Sequence, residues 1–176
     1  ADEDPDYQRE CLNLAAHLQL DGVVSFLGKV KIEDYLGEID VIALTSLSEA
    51  QPLVILEAGA AGIPTVATDV GSCRELIMGA PSETPPLGAG GIVTPVADAK
   101  AVAGALYTLL SDFELYHQCS QAIRERVQRY YAKPLQRAAY EDLYGELLGH
   151  GAQPSLHAEP AADAVGRVPA ADHGAI

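Results

Sequence analysis

Basic residues are scarce in this sequence. Its 11 lysines and arginines stand against 25 aspartates and glutamates, which gives a formal net charge of −14 over 176 residues. A nucleic-acid partner would require a basic stripe to neutralise phosphates, so this composition argues against one. No apolar run is long enough to cross a membrane, and the sequence does not begin with a basic-then-apolar signal segment. With 48% apolar residues, most of the chain should fold, and we expect a cytoplasmic protein.

The patterns that usually hold a metal or a phosphate are also missing. Cys11, Cys73 and Cys119 are widely spaced, without a C-x-x-C pair, and no two histidines have ligand spacing. We therefore predict no metal and no cofactor, and we interpret the cysteines as reduced packing residues. Gly90-Gly91 does not form a phosphate loop, because no Lys-Ser or Lys-Thr follows it.

What is present is one strand–loop–helix–strand unit. The run Ile39–Ser46 is apolar, as expected of a strand buried on both faces. Pro52 suits the start of a helix, where its missing N–H costs nothing, and residues 53–61 are apolar. Gly62 suits the position just past the helix end, and Thr65–Thr68 resumes as a strand. The pattern predicts a parallel crossover.

Two glutamates flank the start of this helix. Glu49 lies in the loop and Glu57 in the helix, with seven residues between them. A helix N-terminus favours anions, and ligands bind at the carboxyl ends of parallel strands. The local chemistry therefore suggests an anion held by backbone N–H groups beside carboxylates that accept from hydroxyls, as a nucleotide sugar would require. The alternative is a solvated loop residue and a surface helix residue.

A longer run carries a family resemblance. From Ser46 to Glu75 the chain reads S-x-S-E-A-Q-P-L-V-I-L-E-A-G-A-A-G-I-P-x-V-A-T-D-V-G-S-C-R-E. This resembles the Glu–seven–Glu region of retaining glycosyltransferases of family 4, which have the GT-B fold. The run S-E-A-Q-P-L-V-I-L-E-A-G-A is similar to the Pel exopolysaccharide (PelF-like) branch, which lacks the glycine and the aromatic that most relatives have at Ala50 and Gln51. The resemblance extends from about Asp4 to Leu148.

The resemblance implies an α/β fold, a doubly wound, Rossmann-like parallel sheet that forms the C-terminal lobe of a GT-B enzyme. It also implies transfer of a sugar from a UDP-linked donor to a growing exopolysaccharide with retention at the anomeric carbon. No protein nucleophile is firmly established in such enzymes, so catalysis rests on stabilising the departing diphosphate and holding the sugar in place.

Site residues follow from the same resemblance. Glu49 would sit at the donor sugar as the catalytic residue, and Glu57 would accept from the ribose hydroxyls. Backbone N–H groups would face the sugar and diphosphate, and Pro52, which has none, would only shape the loop. This donor set is Glu49, Ala50, Gln51, Pro52, Leu53 and Val54. The nucleobase would meet the loop at Gly28, Lys29 and Val30, for which the alternative is a solvated basic turn.

The rest of the chain gives a coarse prediction of its elements. Asp4 and Pro5 should start a helix whose apolar residues face a core, and Asp98 should cap a later one. The basic cluster at Arg124, Arg126 and Arg129 is interpreted as a solvated helix face. Strands are predicted at about 23–27, 40–45, 65–69 and 92–94, and the other helices at 32–37, 72–78, 112–131 and 134–148.

The chain opens with a helix, whereas a doubly wound domain normally begins with a strand. We therefore expect residues 1–149 to be a partial donor-binding domain and 150–176 a disordered tail. The acceptor lobe, with the Arg and Lys for the diphosphate, would precede residue 1. The resemblance also implies association with an inner-membrane export complex.

Two alternatives stay open. One is a GT-B nucleotide-sugar epimerase, which would not carry S-E-A-Q-P-L-V-I-L-E. The other is a non-catalytic nucleotide-sugar-binding fragment.

Overall fold

The computed structural model describes residues 4–149, so the predicted tail at 150–176 lies outside the described residues. The chain divides after Ala132 into two compact units. The first unit contains α1 (Pro5–His17), a 3₁₀ turn (Ile32–Asp34), β1 (Ile42–Leu44), α2 (Leu53–Ala61), β2 (Thr65–Thr68), α3 (Cys73–Met78), β3 (Gly91–Thr94), α4 (Ala99–Ser111), α5 (Phe113–Arg126) and a π-helix (Val127–Tyr131).

The three strands form one parallel sheet in the order β1-β2-β3. Ile42 lies opposite Thr65, and Thr65 lies opposite Gly91. The central strand β2 has all four residues buried. The crossover predicted around Pro52 is therefore confirmed, and the fold is the expected α/β class with a parallel sheet.

Helices cover both faces of this sheet, because successive residues of β2 point to opposite sides. Ala67 joins a core formed with α2, α3 and α5, whose buried members are Ile55, Cys73, Leu76, Ile77 and Ile123. Val66 joins a second core on the opposite face, formed mainly with α4, whose buried members are Ala105, Leu109 and Cys119. Cys73 and Cys119 are thus buried free thiols, as the sequence predicted.

Local signals for helix ends are confirmed. The side chain of Asp4 accepts from two backbone N–H groups at the start of α1, and Asp98 accepts from Ala101 N at the start of α4. Helix α2 ends at Gly62, whose φ of 78° is left-handed, as its position in the sequence indicated.

The predicted strand at 23–27 is wrong. These residues form no strand, and their side chains are exposed. Instead, the N–H groups of Val23 and Val24 both bond to Leu20 O and close a turn behind α1. A strand exists only through hydrogen bonds to a neighbour, and the described residues supply none there. The predicted helix at 32–37 is also shorter and consists of the 3₁₀ turn followed by turn residues.

The apolar residues near the start of the chain are less buried than their helical spacing predicts. Helix α1 has no buried residue, and Tyr7, Leu14 and Leu18 are 66%, 59% and 59% exposed. Periodicity gives a helix an apolar face but does not supply the surface that covers it. For the same reason β1, an edge strand in the described sheet, has Ala43 exposed rather than both faces buried.

Arg126 is the largest departure from the predicted solvated basic face. Its side chain is 1% exposed and forms an ion pair with Glu83, itself 6% exposed, with Nε 2.7 Å from Oε2. Its Nη1 donates to Ile77 O at 2.8 Å and its Nη2 to Gly88 O at 2.5 Å. Arg126 therefore fastens the Gly- and Pro-rich loop at 79–90 to α5. Its neighbour Arg129 is a solvated residue paired with Glu125.

The second unit contains helix α6 (Lys133–Leu147). Arg137 Nε donates to Glu141 Oε1 at 2.7 Å, and the rings of Tyr140 and Tyr144 stack with centroids 6.3 Å apart. Among the described residues, no helix is both long and apolar enough to span a membrane.

We predict that Glu83→Gln lowers the free energy of unfolding by about 3 kcal/mol, because it leaves the buried Arg126 charge without its counter-charge. The Arg126 hydrogen bonds hold the pKa of Glu83 below its ordinary value of 4.5. The stabilisation should therefore be complete above that value and disappear as the pH falls through the folded-state pKa. Urea unfolding at several pH values should show the two proteins converging in acid.

Glu125→Gln is the matched control, since Glu125 lies on α5 beside Arg126 and is half exposed in its pair with Arg129. It should change stability by less than about 0.5 kcal/mol. Equal effects of the two substitutions would show that burial of the Glu83 pair does not matter.

Candidate functional site

The candidate site lies at the carboxyl edge of the sheet. In a parallel sheet, the loops that follow β1 and β2 leave from the same edge, and α2 begins there. These loops are tied together by Thr68, the last residue of β2. Its buried hydroxyl donates to Ser46 O at 2.6 Å, across from the central strand to the loop that carries Glu49.

Glu49 is half-buried and held at both its side chain and its backbone. Ser46 Oγ donates to Glu49 Oε1 at 2.7 Å. The backbone N–H of Ser72 donates to Ala50 O at 3.0 Å. Gly71 has a left-handed φ of 51°, and a Cβ added to it would lie 2.2 Å from Glu49 O and 2.6 Å from Ala50 O. The turn after β2 thus supports the Glu49 loop at a distance that only glycine allows.

The start of α2 has no capping side chain. Pro52 occupies the N-cap position with no side-chain bond, and the first turn has no acidic residue. By contrast α1, α4 and α5 are capped by the carboxylates of Asp4, Asp98 and Asp112. The backbone N–H groups of Leu53 and Val54 are therefore not bound by a capping side chain, which is the arrangement that binds anions at helix N-termini.

Glu57 lies on the exposed face of α2, one turn beyond Leu53, which is 64% exposed. The opposite face of the helix is buried, with Ile55, Ala58 and Gly59 in the core. The structure therefore brings Glu49, the uncapped helix start and Glu57 together on one short segment. Gln51 is also exposed at this edge.

The predicted nucleobase loop is less firmly connected to the other predicted residues. Gly28, Lys29 and Val30 are exposed, and the 3₁₀ turn just after them contacts α2. In the described part of the chain, these three residues form no hydrogen bond with the Glu49 loop or with α2. Their part in a site stays a prediction.

Two further features of this edge concern Cys73 and Arg74. Burial raises the pKa of the Cys73 thiol, and the nearby charge of Glu49 adds to the shift, so this cysteine is a neutral packing group beneath the loop, in agreement with its interpretation from the sequence. The second feature was not foreseen. Arg74 donates to both carboxylate oxygens of Asp69, with Nη2 2.5 Å from Oδ2, and these bonds lower the pKa of Asp69. The only sequence signal for this pair was an acid and a base five positions apart.

No group of three metal-ligating side chains occurs within residues 4–149. The absence of a metal or cofactor stays a prediction.

Residues 2–112 match the sequence family described as Glycosyl transferases group 1. The chain belongs to this family. It is 32% identical to N-acetyl-alpha-D-glucosaminyl L-malate synthase of Bacillus anthracis over 138 residues, which are 78% of this chain and 34% of that protein. It therefore spans about a third of the length of that curated relative.

Solved structures agree on the fold. Sucrose-phosphate synthase from Thermosynechococcus elongatus superposes with a TM-score of 0.70 at 28% identity, over 84% of this chain and 37% of that one. HepE from Anabaena, in complex with UDP, superposes with a TM-score of 0.69 at 22% identity, over 85% and 38% of the two chains. The GT-B resemblance is thus confirmed at the level of the family and the fold.

We predict that Gly71→Ala destabilises the protein by more than the roughly 1–2 kcal/mol of left-handed strain alone, because the new methyl group meets backbone atoms that cannot rotate away. Gly22→Ala is the matched control. Gly22 also has a left-handed φ, of 78°, but a Cβ there would meet nothing within 4 Å. Urea unfolding of both variants separates the cost of backbone strain from the cost of the steric clash. Equal losses in the free energy of unfolding would mean that the Glu49 loop moves aside freely.

Proposed function

We propose that this chain forms the donor-binding part of a retaining glycosyltransferase that takes a sugar from a UDP-linked donor and adds it to a growing exopolysaccharide. One observation carries the proposal. The uncapped start of α2 lies between two glutamates, one with its carboxylate held by Ser46 and the other exposed one turn into the helix. Anion binding and hydroxyl recognition are thus available side by side.

The diphosphate lies at the start of α2 in this proposal. The N–H groups of Leu53 and Val54 and the helix dipole favour negative charge there, and this charge increases as the glycosidic bond to the diphosphate breaks. Since Arg74 is engaged by Asp69, the helix start is the chain's main contribution to holding the leaving group. Cations from another part of the enzyme complete the site.

The two carboxylates bind different parts of the donor beyond the diphosphate. Glu57, one turn along the helix, accepts from the ribose hydroxyls, and Glu49 accepts from hydroxyls of the transferred sugar. The loop at Gly28–Val30 receives the base. Structures of HepE that contain UDP and UDP-glucose support UDP as the nucleotide to test. Family membership favours transfer over the epimerase alternative.

The acceptor and the cellular setting rest on the Pel-like run S-E-A-Q-P-L-V-I-L-E-A-G-A. The proposal assigns a polysaccharide acceptor, a second lobe of the same enzyme that binds it, and association with an inner-membrane export complex from the cytoplasmic side.

We predict that, in the full-length protein, Glu57→Ala raises the dissociation constant for the donor, whereas Glu49→Ala mainly lowers kcat. A hydrogen bond to a charged group contributes roughly 1.5–3 kcal/mol, which corresponds to an effect of about ten- to a hundredfold. Steady-state kinetics and UDP titration test this. Glu38→Ala, at an exposed turn, is the control, and wild-type kinetics in both site variants would refute the assignment.

We also predict that this chain alone binds UDP with a dissociation constant between about 1 mM and tens of micromolar, because a helix start and a few neutral contacts supply about 4–6 kcal/mol. It should transfer no sugar. Amide shifts on NMR titration should centre on 28–31 and 49–57. The Leu53 and Val54 amides should respond to UDP and not to uridine, since only UDP carries the diphosphate. Sub-micromolar affinity, shifts elsewhere or measurable transfer would contradict the proposal that this chain carries only part of the donor site.

A further inference from the structure

Ser46 links the central strand to the carboxylate of Glu49. Its carbonyl accepts from the buried hydroxyl of Thr68 at 2.6 Å, and its own hydroxyl donates to Glu49 Oε1 at 2.7 Å. Thr68 is 1% exposed and belongs to the strand that both neighbouring strands pair with. A rigid part of the sheet is therefore connected to one named oxygen of the loop glutamate through two hydrogen bonds.

The backbone of Glu49 is fixed separately from its side chain. The turn at Gly71 and Ser72 contacts the carbonyls of Glu49 and Ala50, and it leaves the side-chain torsions of Glu49 free. A glutamate side chain has three such torsions and loses substantial rotamer freedom when it is ordered. Within the described part of the chain, Ser46 is the hydrogen-bond partner of the Glu49 carboxylate, and Oε2 forms no hydrogen bond.

We infer that Ser46 is a positioning residue for transfer: it holds Oε1 so that Oε2 faces the donor sugar. The inference rests on the proposed function. A reacting group held in one orientation gains rate, because the enzyme need not find that geometry at each turnover. Without the serine hydroxyl, Glu49 samples other rotamers while the anion site at the start of α2 is unchanged.

This assignment predicts a specific kinetic pattern in the full-length protein. Ser46→Ala should lower kcat about tenfold, the size expected for one hydrogen bond to a charged group. The dissociation constant for UDP, which lacks the transferred sugar, should not change, because Leu53, Val54 and Glu57 are intact. Ser46→Thr retains a hydroxyl at the same position and should recover most of the lost rate.

Ser48 offers a matched control within the same loop. It is two residues away and exposed, and it forms no side-chain hydrogen bond in the part of the chain that the structure describes. Ser48→Ala should therefore leave kcat unchanged. A double-mutant cycle adds a second test: Ser46→Ala should have no further effect in the Glu49→Ala background if it acts only through that carboxylate.

A readout that needs no turnover separates this inference from the proposed function. Scalar couplings of the Glu49 side chain, measured by NMR, should report one rotamer in the wild type and in Ser48→Ala, and a mixture in Ser46→Ala. Wild-type kcat in Ser46→Ala, or an undiminished loss in the Glu49→Ala background, would overturn the positioning role while the transferase stands. The opposite outcome is a wild type that neither binds UDP nor transfers sugar but whose Glu49 couplings still depend on Ser46. That result would overturn the proposed function, while the hydrogen bond between Ser46 and Glu49 would stand.

Discussion

The rest of this structure depends on the burial of β2 on both faces. Three of its four residues pair with β1 on one side and all four pair with β3 on the other, so Val66 and Ala67 must enter separate cores. A strand in that position cannot shift by one residue without exchanging its two faces. Because Thr68 ends this strand and bonds to Ser46 O, the rigidity of the sheet extends directly into the loop that holds Glu49. The packing of the core thus helps to fix the position of the candidate site.

The elements around the site could be predicted because their signals are local. Pro52, Gly62 and the apolar residues between them define a helix within ten residues of sequence, and the structure agrees. The strand predicted at 23–27 had a similar apolar signal but failed, since a strand needs a partner that its own sequence does not specify. Helix α1 shows the same limit, with a correct start and an apolar face that no described element buries.

The contacts that fix side chains could not be predicted, because they join distant positions. Arg126 bonds to Glu83 across 43 residues, and nothing near either residue distinguishes them from solvated charges. Gly71 supports Glu49 from the next loop of the sheet, and Thr68 reaches Ser46 from 22 residues away. The family motif named the glutamate, but only the fold shows which neighbours restrict it. Residue roles taken from a motif therefore need the contacts before they can be explained physically.

Electrostatics provides the remaining constraint on the proposed donor site. A net charge of −14 repels a diphosphate at long range, yet salt screens exposed charges over about 8–10 Å. Inside that distance the local groups decide, and those of α2 are N–H dipoles without a capping carboxylate. Asp69 removes Arg74 as a competing anchor, because its carboxylate accepts three hydrogen bonds from that guanidinium. The helix start, and not a mobile cation, would therefore place an anion at this edge. The diphosphate would then lie at a fixed distance from Glu49, and Ser46 would orient the Glu49 carboxylate.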